Sequence, residues 1–232
     1  MRSHSYAARR GELEEYFDRT AAEAWKRLTS DAPVSGIRAT VRAGREEMRN
    51  TLLSWLPSDL RGRRVLDAGC GTGVMAMELA CRGANVVAVD ISESLVGHAA
   101  ENARRAGGPM PRFHVGDMLD PALGEFDHIV AMDSLIHYKA EDIVGALAGI
   151  APRIDGSILF TVAPRTPLLT VMHNAGKLFP RADRAPRIVP LADAKLRRLA
   201  AEAVPLKPFA PATDRRVQRG FYTSHAYRWV RR

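Results

Sequence analysis

Three aspartates in the first half of the chain close short apolar runs: Asp67 in VLDAG, Asp90 in VVAVD and Asp117 in RFHVGD. Just after the first of them, Gly69, Gly71 and Gly73 recur at every second position. Glycine at that spacing lets the main chain turn sharply and lets a ligand lie directly on it. Amides opening the following helix would then face the ligand. Asp90 lies 23 residues beyond Asp67, where an acidic side chain can accept hydrogen bonds from both hydroxyls of a ribose. Ile91 can lie against an adenine, Asp117 can take its amino group, and Met118 can pack on its ring. One such acid reads as readily as a helix cap; three at the ends of successive runs read as a nucleoside site. The spacing D-x-G-x-G-x-G differs from the G-x-G-x-x-G of dinucleotide folds.

These residues need strands to end on. From Arg64 onward, short apolar runs alternate with helical stretches. RVLDAG, VVAVD (86–90), RFHVGD (112–117), FDHIVAMDS (126–134) and SILFTVA (157–163) read as five strands. Helices are expected at 74–83, at 92–106 with Ser92 as N-cap, and at 191–203, with two terminal strands near LKPFAP and GFYTSHAYRWV. Near-continuous apolar strands point to a parallel sheet buried on both faces. The fold expected is therefore α/β: a Rossmann-like, doubly wound, seven-stranded sheet binding ligands at the carboxyl edge of its strands. Residues 1–61 read as a helical arm ahead of a core at 62–232. Its first helix, 6–29, carries Tyr16, Phe17 and Trp25, which either dock the helix or close a lid; its second, about 38–56, sets Met48, Leu52 and Leu56 on one face. Residues 165–190 form an insertion after strand five.

The 232 residues suit one α/β domain with additions. No stretch offers the uninterrupted apolar length of a membrane span, and MRSHSYAARRGELEEYF has no signal-peptide core. Cys70 and Cys81 make neither a disulfide framework nor a metal site, so a reducing cytoplasm is expected. The net charge of +8 is uneven: residues 1–61 hold 11 basic against 9 acidic residues, 62–164 hold 8 against 13, and 165–232 hold 15 against 4. That last excess suggests an anionic small molecule, a membrane surface or nucleic acid as partner, or else an arginine-rich composition, since only five of the 34 basic residues are lysine.

VLDAGCGTG (65–73) resembles motif I of the class I S-adenosylmethionine (SAM) methyltransferases, whose loop passes under a nucleoside and an amino acid with no pyrophosphate. Met132 and Asp133 then fall where motif IV faces the methyl donor, and His137 follows on the same loop, AMDSLIHYKAEDI. His137 reads either as a helix-start residue or as a group beside the donor. Over nearly its full length the chain is similar to the magnesium protoporphyrin IX O-methyltransferase family of (bacterio)chlorophyll synthesis. The resemblance is carried by YF…W-K-R in the first helix, RAG(R) at the start of the second, LDAGCGTG, D-S-L-I-H-Y, and the ending GFYTS. The D-x-L-I-H-Y loop and the G-F-Y-T-S tail are the more specific parts. Many members carry a tyrosine, proposed to act in catalysis, just after the W-R-R-I-like segment; here that position is Thr29, and no catalytic role is carried over to it.

The resemblance implies methyl transfer from SAM to one propionate of Mg-protoporphyrin IX, leaving the monomethyl ester and S-adenosylhomocysteine (SAH). It implies His137 as the catalytic residue facing the substrate carboxylate. It also implies a cofactor-binding set of Tyr16, Arg42, Asp67, Gly69, Gly71, Asp90, Ile91, Asp117, Met118 and Met132. Magnesium would enter only inside the porphyrin. Expected partners are that porphyrin, the porphyrin-binding subunit of magnesium chelatase and a photosynthetic membrane surface, with no nucleic acid. The insertion pairs an apolar stretch, LLTVMHNAGKLF, with Arg181, Arg184 and Arg187, which suits a large flat ligand bearing carboxylates. Three other readings compete. A phenol-type O-methyltransferase would need a base, because a phenol has a pKa of about 10. An RNA methyltransferase would suit the basic tail, but M-D-S-L is not the N/D-P-P-Y expected for a nucleobase amine. A non-catalytic SAM-binding subunit would also keep Asp67, Asp90 and Asp117.

Overall fold

The computed structural model describes residues 4–18, 36–165 and 187–232. Seven strands form: β1 (Arg64–Ala68), β2 (Asn85–Asp90), β3 (Arg112–Val115), β4 (Phe126–Ala131), β5 (Ile154–Val162), β6 (Phe209–Arg219) and β7 (Tyr222–Arg231). They lie in the order β3-β2-β1-β4-β5-β7-β6. The first five pair in parallel, and β7 runs antiparallel to both its neighbours. Parallel neighbours need crossovers. These contain α3 (Val74–Cys81), α4 (Glu93–Ala106) and α5 (Ala140–Ile150); α1 (His4–Tyr16) and α2 (Gly36–Ser54) precede the sheet, and α6 (Asp193–Glu202) follows β5.

The pleat explains why the strands read as unbroken apolar runs. Successive side chains leave opposite faces, and both faces are covered. Leu66, Val87, Val89, Ile129 and Phe160 enter one core with α1, α5 and α6. Their chain neighbours Val65, Val86, Ala88, Val130 and Leu159 enter the other with α2 and α3. Met48 and Leu52 of α2, and Leu56 two residues beyond its end, are buried there on the spacing the sequence predicts. A buried Leu side chain contributes about 1.5–3 kcal/mol, so α2 is fixed by its lower half. Ser92 caps α4, accepting the Leu95 N–H at 3.2 Å, and Gly107 ends that helix in the left-handed region at φ 67°.

Several boundaries differ from expectation. β4 stops at Ala131 rather than at 134, because Asp133 takes φ 55° and breaks the extended chain. β6 runs over Phe209–Arg219, far beyond LKPFAP. Its polar sequence conceals a strand because β6 is an outer strand, where Arg215, Arg216 and Arg219 face water and Pro211 sits at a register shift. Trp25, Thr29 and residues 166–186 of the insertion, with Arg181 and Arg184, lie outside the described residues. Among the described residues no helix is long and apolar enough to cross a membrane. The chain steps outward from β1 to β2 and β3, then returns to β4 on the other side of β1. That reversal opens a crevice at the carboxyl ends of β1 and β4.

Candidate active site

A cavity of about 300 Å³ occupies the crevice. Its floor is the glycine loop. The Gly69 and Cys70 amides both donate to the Val89 carbonyl, at 2.8 and 3.0 Å, which ties the loop to the end of β2. Gly71 N–H donates to Asp90 Oδ2 at 2.8 Å, and Ser92 N–H donates to Asp90 Oδ1 at 3.0 Å. Asp90 thus latches the loop as well as facing the cavity. Gly69 and Gly71 adopt φ 84° and 52°, where side chains are strained. A Cβ on Gly69 would also lie 2.3 Å from Ser134 Cβ, so the loops after β1 and β4 touch there.

The acids are set for a cation. Asp67 is 1% exposed and its Oδ2 has no hydrogen-bond partner among the described residues. Burial, and then the Asp90 charge, push its carboxyl up to about 7. Burial also raises Asp90, against the Ser92 and Gly71 amides that stabilise its charged form. A buried carboxylate oxygen left without a partner costs free energy, and a ligand bearing positive charge and donors would recover it. Burial pushes the Cys70 thiol up as well, so it stays protonated as a small core residue.

Asp67, Gly69, Gly71, Asp90, Ile91, Met118, Met132, Arg42 and His137 all line the cavity; Tyr16 and Asp117 are not among its lining residues. Asp117 instead receives the Tyr6 hydroxyl at 3.0 Å and the Leu119 amide at 2.9 Å on Oδ1, and Arg10 at 3.0 Å on Oδ2. It anchors α1. From that helix Tyr6 and Leu13 reach the cavity, with Phe17 from the next turn. Tyr6 also stacks on Tyr138, ring centroids 5.0 Å apart. Tyr16 meets Phe17 edge-on.

The loop after β4 and α2 make up another stretch of the cavity wall. Met132, Asp133, Ser134 and His137 line it, with Arg42, Arg45 and Arg49 from α2. Those arginines stand at i, i+3 and i+7, a spacing visible in the sequence that would have nominated Arg45 and Arg49. Phe17 carries the aromatic signal of the first helix; Ser134, Tyr6 and Leu13 have none comparable. His137 Nδ1 lies 3.3 Å from the Arg187 carbonyl, and Arg9 Nε donates to the His137 carbonyl at 3.1 Å. A carbonyl oxygen only accepts, so the ring proton belongs on Nδ1. Arg187 therefore meets His137 through its backbone.

A glycine loop beneath the switch-point crevice, on a seven-stranded sheet whose β7 is antiparallel, defines a class I SAM-dependent methyltransferase. Comparison with known proteins agrees. A family model described as a methyltransferase domain matches residues 65–154, and one described as the magnesium-protoporphyrin IX methyltransferase C-terminus matches residues 131–231. The chain is 51% identical over 220 residues to the magnesium-protoporphyrin O-methyltransferase of Rhodobacter capsulatus, covering 94% of this chain and 95% of that protein. It is 32% identical over 191 residues to the Synechocystis sp. protein of the same name, covering 81% and 83%. The crystal structure of magnesium protoporphyrin IX methyltransferase from Synechocystis PCC 6803 with bound SAH matches with a TM-score of 0.83 at 30% identity, over 96% of this chain and 99% of that one. The chain belongs to the magnesium-protoporphyrin O-methyltransferase family.

Proposed function

We infer that this chain transfers a methyl group from SAM to a propionate carboxylate of Mg-protoporphyrin IX, giving the monomethyl ester. One observation carries the reading. The cavity joins a nucleoside-type edge to the D-S-L-I-H-Y loop, which lies in the segment matched by the porphyrin family's own C-terminal model. The unpartnered Asp67 Oδ2 fits a cofactor of positive charge, and Asp90 fits its ribose. Ile91, Met118 and Met132 would enclose the rest, with Arg42 near an anionic end. When bound, SAM supplies an electrophilic methyl group on a cationic sulfur.

A propionate, with a pKa of about 4–5, is ionised at neutral pH, so no residue has to remove its proton. The protein's task is to orient that carboxylate and keep water away from charges that cancel as they react. Tyr6, Leu13 and Phe17 form the apolar side of the enclosure. His137 would orient the carboxylate. With Nδ1–H directed at the Arg187 carbonyl, its Nε2 can donate only when the ring is protonated. Family membership and the basic residues of 165–232 support three finer proposals: one or more of Arg181, Arg184 and Arg187 meets a propionate, an anionic membrane surface is a neighbour, and the porphyrin comes from the porphyrin-binding chelatase subunit.

Purified protein with SAM should convert Mg-protoporphyrin IX to its monomethyl ester, and leave quinol precursors and RNA unmethylated. His137→Ala should lower porphyrin turnover only in part, because a propionate needs no deprotonation. A profile that climbs with pH, together with methylation of a phenol, would replace this reading by the phenol-type one, where histidine acts as a base.

A further inference from the structure

The loop carrying His137 leaves β4 through a backbone conformation that most residues avoid, with Asp133 at φ 55°. Such strain persists where the surroundings over-determine it, and it clusters at functional sites. Here four side chains from three elements converge on one carboxylate. Arg45 Nη1 from α2 donates to Oδ2 at 2.7 Å. From β7, the Tyr222 hydroxyl reaches both oxygens at 3.1 and 3.2 Å, and Ser224 Oγ donates to Oδ1 at 3.3 Å. From β5, Thr161 Oγ1 donates to Oδ1 at 3.2 Å and accepts the Asp133 N–H at 2.8 Å. Asp133, Thr161, Tyr222 and Ser224 are all buried.

A carboxylate offers about four lone-pair sites, and four donors crowd onto this one, three hydroxyls on Oδ1 and Arg45 on Oδ2, with the Tyr222 proton shared between the two oxygens. Asp133 is engaged in holding these groups together. Two glycines let the assembly close. A Cβ on Gly44 would fall 2.5 Å from the Tyr222 ring, and one on Gly69 would strike Ser134. Ser134 Oγ, one residue beyond Asp133, is buried in the cavity wall without a hydrogen-bond partner among the described residues. RAGR, DSLIHY and GFYTS, which lie far apart along the chain, thus meet at one carboxylate.

We propose that Asp133 is a positioning residue for methyl transfer: it draws α2, β5 and β7 onto one carboxylate and so fixes the turn that aims Ser134 Oγ and His137 into the cavity. The kinetic test rests on the proposed porphyrin reaction; the spectroscopic one does not. Asp133→Asn keeps the shape and removes the charge, while Tyr222→Phe and Ser224→Ala each remove one donor. Turnover of Mg-protoporphyrin IX, SAM affinity by calorimetry, and the nitrogen NMR signals of the His137 ring with SAH bound are compared with wild type. In Asp133→Asn kcat should fall about 100-fold, the scale of a small misplacement of reacting groups. Tyr222→Phe should lose about tenfold or less, with KM and SAM affinity within about twofold of wild type. The His137 signals should shift in the same order.

A lower melting temperature with kcat per folded molecule unchanged would reduce Asp133 to a structural residue and overturn the proposal. SAM affinity falling in step with kcat would overturn it too, by making Asp133 a cofactor ligand. Should Asp133→Asn not fold, the two single-donor variants decide, since both retain the carboxylate. If wild type leaves the porphyrin unmethylated yet Asp133→Asn still moves the His137 signals, the reaction reading falls and the positioning role stands. If turnover and the His137 signals are both unmoved, the positioning role falls alone.

Discussion

The two walls of the cavity are built by different means. On the side of the glycine loop the contacts come from main-chain amides nearby in sequence: Gly71 N–H to Asp90, 19 residues away, and Ser92 N–H to the same carboxylate, two residues away. On the side of the loop after β4, proposed above as the transfer side, they are side chain to side chain and longer-range: Asp133 gathers Arg45, Tyr222 and Ser224 across 88, 89 and 91 residues. A nucleoside loop made from main chain tolerates many side chains around it, which is why any methyltransferase of this class can share it. The transfer wall exists only when distant segments agree, and it is there that the porphyrin family's own motifs sit. Shared chemistry lies in the backbone, and particular chemistry in the convergence of side chains.

The largest expected effect comes from the point where the walls touch. In Gly69→Ala the residue would be held at φ 84° with its Cβ 2.3 Å from Ser134. The left-handed conformation costs about 1–2 kcal/mol, and the overlap adds about 1–3 kcal/mol. We expect SAM binding and turnover to fall together, by about 100-fold or more. Gly69→Ala with Ser134→Gly removes the overlap and leaves the backbone strain, so SAM affinity should recover in part. A double variant no better than the single one would show that the two walls do not depend on this contact.

Next is the latch. Asp90→Ala loses a ligand acceptor and both loop anchors, and SAM affinity should drop by about 1.5–3 kcal/mol. Asp90→Asn, which keeps one acceptor oxygen, should lose about half as much. Calorimetry reads both, and unchanged affinity would remove Asp90 from the ribose role. Asp67 gives a smaller, pH-dependent effect. Its folded value of about 7 lies above the ordinary aspartate value of about 4, so the free protein holds a proton there that the unfolded chain would lose. Stability from this group is present at low pH and is lost as pH rises through that window. A cationic cofactor favours the ionised form and expels the proton. SAM affinity should therefore rise with pH up to about 7, by at most about tenfold per unit, and then level off. Asp67→Asn should flatten the profile.

The same contrast separates what the sequence discloses from what it hides. β1, β2 and β4 are legible because burial on both faces leaves no polar interruption, and Ser92 is legible because capping is local. The glycine loop and Asp90, which line the cavity, are legible for the same reason. β6 is hidden because an outer strand keeps its charges in water. Tyr16 and Phe17 stand out in the sequence as adjacent rings, whereas Tyr6 and Leu13 do not, because the phase of α1 is set by its docking. Tyr6, Leu13 and Phe17 stand at i, i+7 and i+11, on one face, and Tyr16 lies one residue off it. The partners of Asp133 and Asp117 are hidden because nothing near either aspartate announces a tyrosine or an arginine about a hundred residues away.

Asp117 yields the smallest effect and the finest test of the comparison. The carboxylate ends its strand where a contact to adenine is expected, yet its oxygens are taken by Tyr6, Arg10 and Leu119. Its side chain is 4% exposed and that of Arg10 is 31% exposed, so the pair is partly screened by water. Arg10→Gln should therefore cost about 0.5–1 kcal/mol of stability, and the difference from wild type should shrink in high salt. Tyr6→Phe keeps the stack on Tyr138 and loses only the hydroxyl, for about 1 kcal/mol. If Asp117 acts through α1, both variants bind SAM nearly as wild type does, because the cofactor wall is held by its own backbone. If Asp117 instead holds the adenine, freeing it from Arg10 alters SAM affinity by more than it alters the melting temperature. Calorimetry and thermal unfolding on the same preparation separate the two. The second result would place a long-range side-chain contact on the cofactor wall and weaken the division between the two sides of the site.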